Sequence, residues 1–143
     1  MRFLMGLIFI LLLPNPLMGQ SGYGEYGGVI LINIYDAQTI LVDLPEYPAL
    51  IGEKVTVKIG GIETPKIKGQ CAKESRLAAE AKAFTEKTLK NAELIDLTNM
   101  QRGKYFKIIA DVLVNDDDFA SRLVEKGYAV RTSKNNKSFN WCK

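Results

Sequence analysis

The spacing of apolar positions changes several times along the chain, and each change marks an element. Residues 3–13 form an unbroken apolar run behind a single cation, Arg2. The run is too short to cross a bilayer comfortably, and the small residues Gly19 and Ser21 beyond Pro14-Asn15-Pro16 suit a cleavage site. Residues 1–21 are therefore read as a secretory signal peptide in preference to a retained anchor, and the Gly-rich stretch 22–28 as a flexible arm. One domain is expected over 29–143.

Within that domain, 29–35 (VILINIY) and 39–44 (TILVDL) are aliphatic, β-branched runs separated by Asp36-Ala37-Gln38. This is the pattern of two antiparallel strands and a tight turn. After a Pro-containing loop at 45–52, residues 54–59 (KVTVKI) alternate polar and apolar, as a half-buried strand does. Residues 72–90 carry no Pro or Gly, are rich in Ala, Glu and Lys, and repeat Leu77, Ala81, Phe84 and Thr88 at helical spacing.

Two further strands are predicted at 93–98 and 105–114, the second placing Tyr105 and Phe106 on opposite faces. The exposed one of the pair is a conceivable stacking platform for a base. Asp116-Asp117-Asp118 is read as a solvated turn and not a calcium cluster, because its acids lack the spacing of a ligand set. Asp118 is placed as the cap of a short helix over 119–126 that Gly127 ends. Three strands, a helix, two strands and a helix match a five-stranded Greek-key barrel of the OB type, α+β in class, with two to three helices. A generic α+β sandwich remains open on pattern alone.

Composition changes the picture little. The 143 residues are 47% hydrophobic and 24% charged, with a net charge of +3. Loss of Arg2 with the leader leaves about +2, a bias that permits polyanion binding only if the lysines cluster. Export alters the reading of the two cysteines, since disulfides persist in oxidising compartments. Cys71 and Cys142 are taken as a pair.

The ordered segments YDAQTILVDL, VTVKIGGIETP, RGKYFKIIADVLV and VEKGYAV, with the Ala-rich helix between them, resemble the staphylococcal-nuclease-like (thermonuclease) family of calcium-dependent phosphodiesterases. The likeness runs from about Val29 to Cys142, and Cys71 and Trp141-Cys142 also resemble exported bacterial members. The resemblance implies an OB-fold domain and assigns roles by position. Gln38 stands where the family has a calcium-binding aspartate. Glu63 and Thr64 occupy two further metal positions, and Lys66 replaces the glutamate that serves as general base. Lys58 and Lys107 replace the two arginines that clamp the scissile phosphate.

The charge at these positions opposes the family chemistry. A protonated Lys66 accepts no proton, and at about 6 Å and an effective dielectric near 20 it repels a divalent cation by roughly 5 kcal/mol. Lys58 and Lys107 keep positive charge but lose the planar two-donor fork. Asp36 is assigned to the hairpin.

The expectation is an exported domain, secreted or periplasmic, monomeric, catalytically impaired and without a cofactor. It would hold nucleic acid or another polyanion on Lys58, Lys66, Lys68 and Lys107, with no membrane contact once mature. One alternative is a Ca²⁺-dependent nuclease in which burial lowers the Lys66 pKa enough for it to act as the base. A second is a protein-interaction scaffold marked by a contiguous exposed apolar patch.

Overall fold

The computed structural model describes residues 24–132 and 138–143, so the proposed signal peptide lies outside the described residues. The first two strands are β1 (Ile30–Ile34) and β2 (Thr39–Asp43), paired antiparallel across the turn at 35–38. Asp36 fastens that turn, its carboxylate accepting the Gln38 backbone N–H at 2.8 Å, as short acidic side chains do in tight turns. The loop after β2 holds a four-residue helix, α1 (Ala49–Gly52). Strand β3 (Val55–Ile59) then pairs antiparallel with β2.

The predicted alternation is present in β3. Val55, Val57 and Ile59 are buried, whereas Thr56 and Lys58 turn to the other face. A short strand β4 (Ile62–Glu63) follows, then the long helix α2 (Ala72–Lys90), β5 (Ile95–Arg102), β6 (Ile108–Val114), β7 (Asp117–Asp118), helix α3 (Phe119–Glu125) and β8 (Val130–Arg131). The main sheet runs β1-β2-β3-β6-β5, with β7 on β6, and β4 pairs with β8 apart from it. The parallel step from β3 to β6 is bridged by α2 and β5. The result is a curled α+β sheet of OB type.

Three expectations are corrected. Residues 24–28 are not a loose arm: Tyr26 and Leu97 exchange backbone hydrogen bonds of 2.8 Å, and Val29 N–H donates to Ile95 at 3.0 Å. Tyr26 is buried, so this segment adds to the edge of β5 and draws the ends of the sheet together. A large aromatic repays burial better than a Gly-rich tether repays freedom.

Tyr105 and Phe106 do not alternate on a strand. Both have left-handed backbones (φ +57° and +59°) and both are exposed, at 88% and 92%. The Lys107 N–H donates to Lys104 O across these two residues and the Gly103 N–H to Lys107 O outside them, closing a turn, so β6 begins only at Ile108. The buried face of α2 is also rotated from the predicted one. It comprises Glu74, Ala78, Ala81, Thr85 and Leu89, because the small Ala78 and Ala81 let the helix lie close to the barrel while Phe84 stacks on Phe119 at 6.1 Å.

Other sequence signals hold. Asp118 caps α3 by accepting from Ser121 N–H at 3.1 Å, and Gly127 ends it at φ +75°. Cys71 and Cys142 form a disulfide with their Cα atoms 6.1 Å apart.

Candidate functional site

Strand β3 delivers Lys58 and then turns sharply at Gly60-Gly61, where Gly61 adopts φ +68°. Glycine suits that left-handed position because it has no Cβ to clash. Gln38, arriving from the β1–β2 turn, fastens both sides of this bend. Its amide nitrogen donates to Ile59 O at 3.0 Å and to Ile62 O at 2.6 Å. The buried Thr64 hydroxyl lies 3.5 Å from the Gln38 amide oxygen, at the limit of a hydrogen bond.

A carboxylate at position 38 has no N–H to give those two carbonyls. The amide therefore does structural work that the aspartate of a metal site could not do.

Past Thr64 the chain is tied to the first turn of α2. The Lys66 backbone N–H donates to one oxygen of Glu74 at 3.1 Å and the Gln70 N–H to the other at 2.7 Å. These two bonds, Gln70's first, hold the Glu74 carboxyl below its usual range against the opposing effect of burial, and the positive charge of Lys66 adds to them. The Lys66 side chain itself is exposed.

Glu63 is engaged from another direction. Phe139 N–H lies 3.1 and 3.2 Å from its two carboxylate oxygens, and the Ser138 hydroxyl donates to one of them. The C-terminal residues sit here because Phe139 meets Trp141 edge-on at 4.7 Å and Cys142 is bonded to Cys71.

These residues do not fit a calcium ion. A hard divalent cation needs six to eight oxygens at about 2.4 Å, carboxylates foremost. Of the three positions that the resemblance assigns to metal ligands, Gln38 is neutral, with its amide nitrogen bound to backbone carbonyls, and Glu63 is held by the tail. Only Thr64 is unchanged. Among the described residues, no three Asp, Glu, His or Cys side chains are grouped so as to hold a metal.

The lysines are carried by two segments. Lys58 faces outward in register with Thr39 on one side and Ile109 on the other. Lys107 lies two residues before Ile109 and lines a groove with Thr56, which shares the Lys58 face. The parallel pairing of β3 with β6 thus brings Lys58 and Lys107 to one side of the sheet. Lys66 and Lys68 stand exposed on the 64–71 loop beyond β4.

Sequence reasoning missed the apolar residues that line the same groove, Tyr47, Leu50 and Ile51. Their signal was an apolar Leu-Ile pair inside a Pro-containing loop, where polar residues are usual.

Fold and site define an OB-type barrel with a sharp glycine turn after its third strand and exposed lysines on the neighbouring sheet face and loop. The family described as Staphylococcal nuclease homologue matches residues 56–141, more than half of the chain, and the protein belongs to that family. No curated protein matches the chain.

Proposed function

We propose that this protein is an exported nuclease-family domain that binds nucleic acid or another polyanion without hydrolysing it. The observation that carries this reading is the Gln38 amide, which bridges Ile59 O and Ile62 O and so replaces a metal ligand with a neutral structural clasp. With neither a complete carboxylate set nor a base at position 66, the site has no means to activate water. Lys58 and Lys107 retain charge on one face, where two phosphates of a strand could be met, and Lys66 and Lys68 extend it. The Cys71–Cys142 disulfide agrees with an oxidising compartment, and no helix among the described residues is long and apolar enough to cross a membrane.

The test is binding of a labelled single-stranded oligonucleotide at several salt concentrations. Affinity should fall steeply with salt. Lys58→Glu with Lys107→Glu should weaken it at least tenfold and flatten the log–log salt slope by about 1.4, for two lost phosphate contacts. Binding that ignores both salt and these substitutions contradicts the reading. So does oligonucleotide turnover that needs Ca²⁺ and disappears in Glu63→Ala.

A further inference from the structure

Two loop tips at one end of the barrel carry exceptionally exposed apolar side chains. Leu50 is 95% and Ile51 60% exposed on the first, Tyr105 88% and Phe106 92% on the second. With Tyr47 they form the walls of a groove of about 540 Å³. Apolar surface left in water on this scale marks a surface with a partner.

Both tips are held out by internal structure. In the first, Leu44 N–H donates to Gly52 O at 2.7 Å, and a Cβ at Gly52 would lie 2.6 Å from Leu44 O, so the loop closes tightly on itself. The Tyr26 hydroxyl accepts from Glu46 N–H at 2.9 Å, and its ring packs on Tyr47 at 5.5 Å. In the second, Gly103 N–H donates to Lys107 O at 2.8 Å and Lys107 N–H to Lys104 O at 3.3 Å. Tyr105 and Phe106 occupy the centre of this turn at positive φ, where Asn-Gly is usual and bulky residues are disfavoured. Around the tips stand Lys54, Arg102, Lys104 and Lys107, against the carboxylates of Glu46, Glu53 and Asp43, the last accepting from the Lys54 backbone N–H at 2.7 Å.

We infer that this end of the molecule is an adsorption surface for an anionic phospholipid bilayer. Leu50, Ile51, Tyr105 and Phe106 enter the boundary between headgroups and acyl chains, and Lys54, Lys104 and Lys107 meet the lipid phosphates. Hydrocarbon receives all four apolar side chains, whereas the bases of a nucleic acid offer a stacking face to Tyr105 and Phe106 and leave the aliphatic Leu50 and Ile51 unserved. The excess of cations around the tips selects an anionic surface over a neutral one. The contact is interfacial and needs no spanning helix, and it departs from the expectation that the mature chain meets no membrane. It shares Lys107 with the polyanion reading, but Lys58, Lys66 and Lys68 take no part in it, and the apolar tips take no part in that reading.

The test is co-sedimentation of residues 22–143, which hold every described element of the fold, with vesicles of phosphatidylcholine alone or mixed with phosphatidylglycerol. The protein should pellet with the anionic vesicles, less so as salt rises, and far less with phosphatidylcholine alone. Leu50→Ser with Phe106→Ser should lower the partition coefficient at least tenfold while leaving oligonucleotide affinity and circular dichroism unchanged, since neither side chain reaches the core. Lys54→Glu with Lys104→Glu should weaken only the anionic component. Failure to pellet with anionic vesicles overturns the inference, as does unchanged pelleting of the double serine variant. If that variant instead loses oligonucleotide affinity, or the patch proves to bind a protein while ignoring vesicles, the surface belongs to that partner and not to lipid.

Discussion

At the scale of single residues, the proposal that the metal chemistry is lost rests on one amide, the side chain of Gln38 that binds Ile59 O and Ile62 O. Restoring an aspartate at position 38 would remove both donors from the Ile59 and Ile62 carbonyls and place a second negative charge near Glu63. Gln38→Asp is therefore expected to destabilise the protein by about 1–3 kcal/mol, the range for a buried polar group left unpaired, and to confer no calcium binding by itself. Urea denaturation checks the first outcome and calcium titration of the variant the second. This role was not legible in the sequence, where position 38 reads only as a lost aspartate, because the carbonyls it serves lie more than twenty positions away. The engagement of Glu63 by Ser138 and Phe139 was equally hidden, for the same reason of distance along the chain. The lysines themselves, in contrast, were plain from residue type and position.

Two carboxylates contribute stability that is lost in acid. Burial pushes the Asp118 carboxyl up, but the Ser121 hydroxyl and N–H, with Arg131 and the Ala120 N–H, more than offset it and hold it below its usual value. Glu74 is held low by its bonds from Gln70 and Lys66. A carboxyl whose pKa is depressed on folding contributes stability that is complete above its unfolded value and is lost as pH falls through its folded value. The denaturation midpoint is thus expected to stay level from neutrality to about pH 5 and to drop below about pH 4. Asp118→Ala should cost about 1 kcal/mol near neutral pH through loss of the helix cap, and the deficit should shrink in acid, where the native cap is itself neutralised. A deficit that grows in acid would contradict this assignment.

At the scale of elements, burial made some segments readable and local turn chemistry concealed others. The strands around Ile40 and Val57 declared themselves because each presents alternate apolar residues to one core. The order of elements narrowed the fold to an OB-type barrel or a generic α+β sandwich, and the resemblance of the ordered segments decided for the barrel. The tip at Tyr105-Phe106 was concealed because aromatic residues favour strands, whereas the closing bonds between Gly103, Lys104 and Lys107 impose a turn. The segment before β1 was concealed by its glycines, although Tyr26 alone supplies enough buried surface to dock it. Tyr26→Ala is accordingly expected to cost about 3 kcal/mol and to loosen both the closure onto β5 and the neighbouring loop tip at Tyr47. Hydrogen exchange at Leu97 and Glu46 would report the two effects, and unchanged protection at both would refute the linkage.

At the scale of the whole molecule, the barrel positions a charged face while the C-terminal tail is drawn across to Glu63. The disulfide joins residues 71 positions apart, and closing a loop of that length stabilises by roughly 4 kcal/mol in the chain-entropy model. Cys71→Ser with Cys142→Ser should lower stability by about that amount and release Ser138 and Phe139 from Glu63. The central claim is that a nuclease barrel has exchanged the negative charge needed for a divalent ion for neutral and positive side chains. Isothermal titration of Ca²⁺ into residues 22–143 tests it most directly. The account predicts no saturable binding at millimolar concentrations, and stoichiometric binding abolished by Glu63→Ala would contradict it.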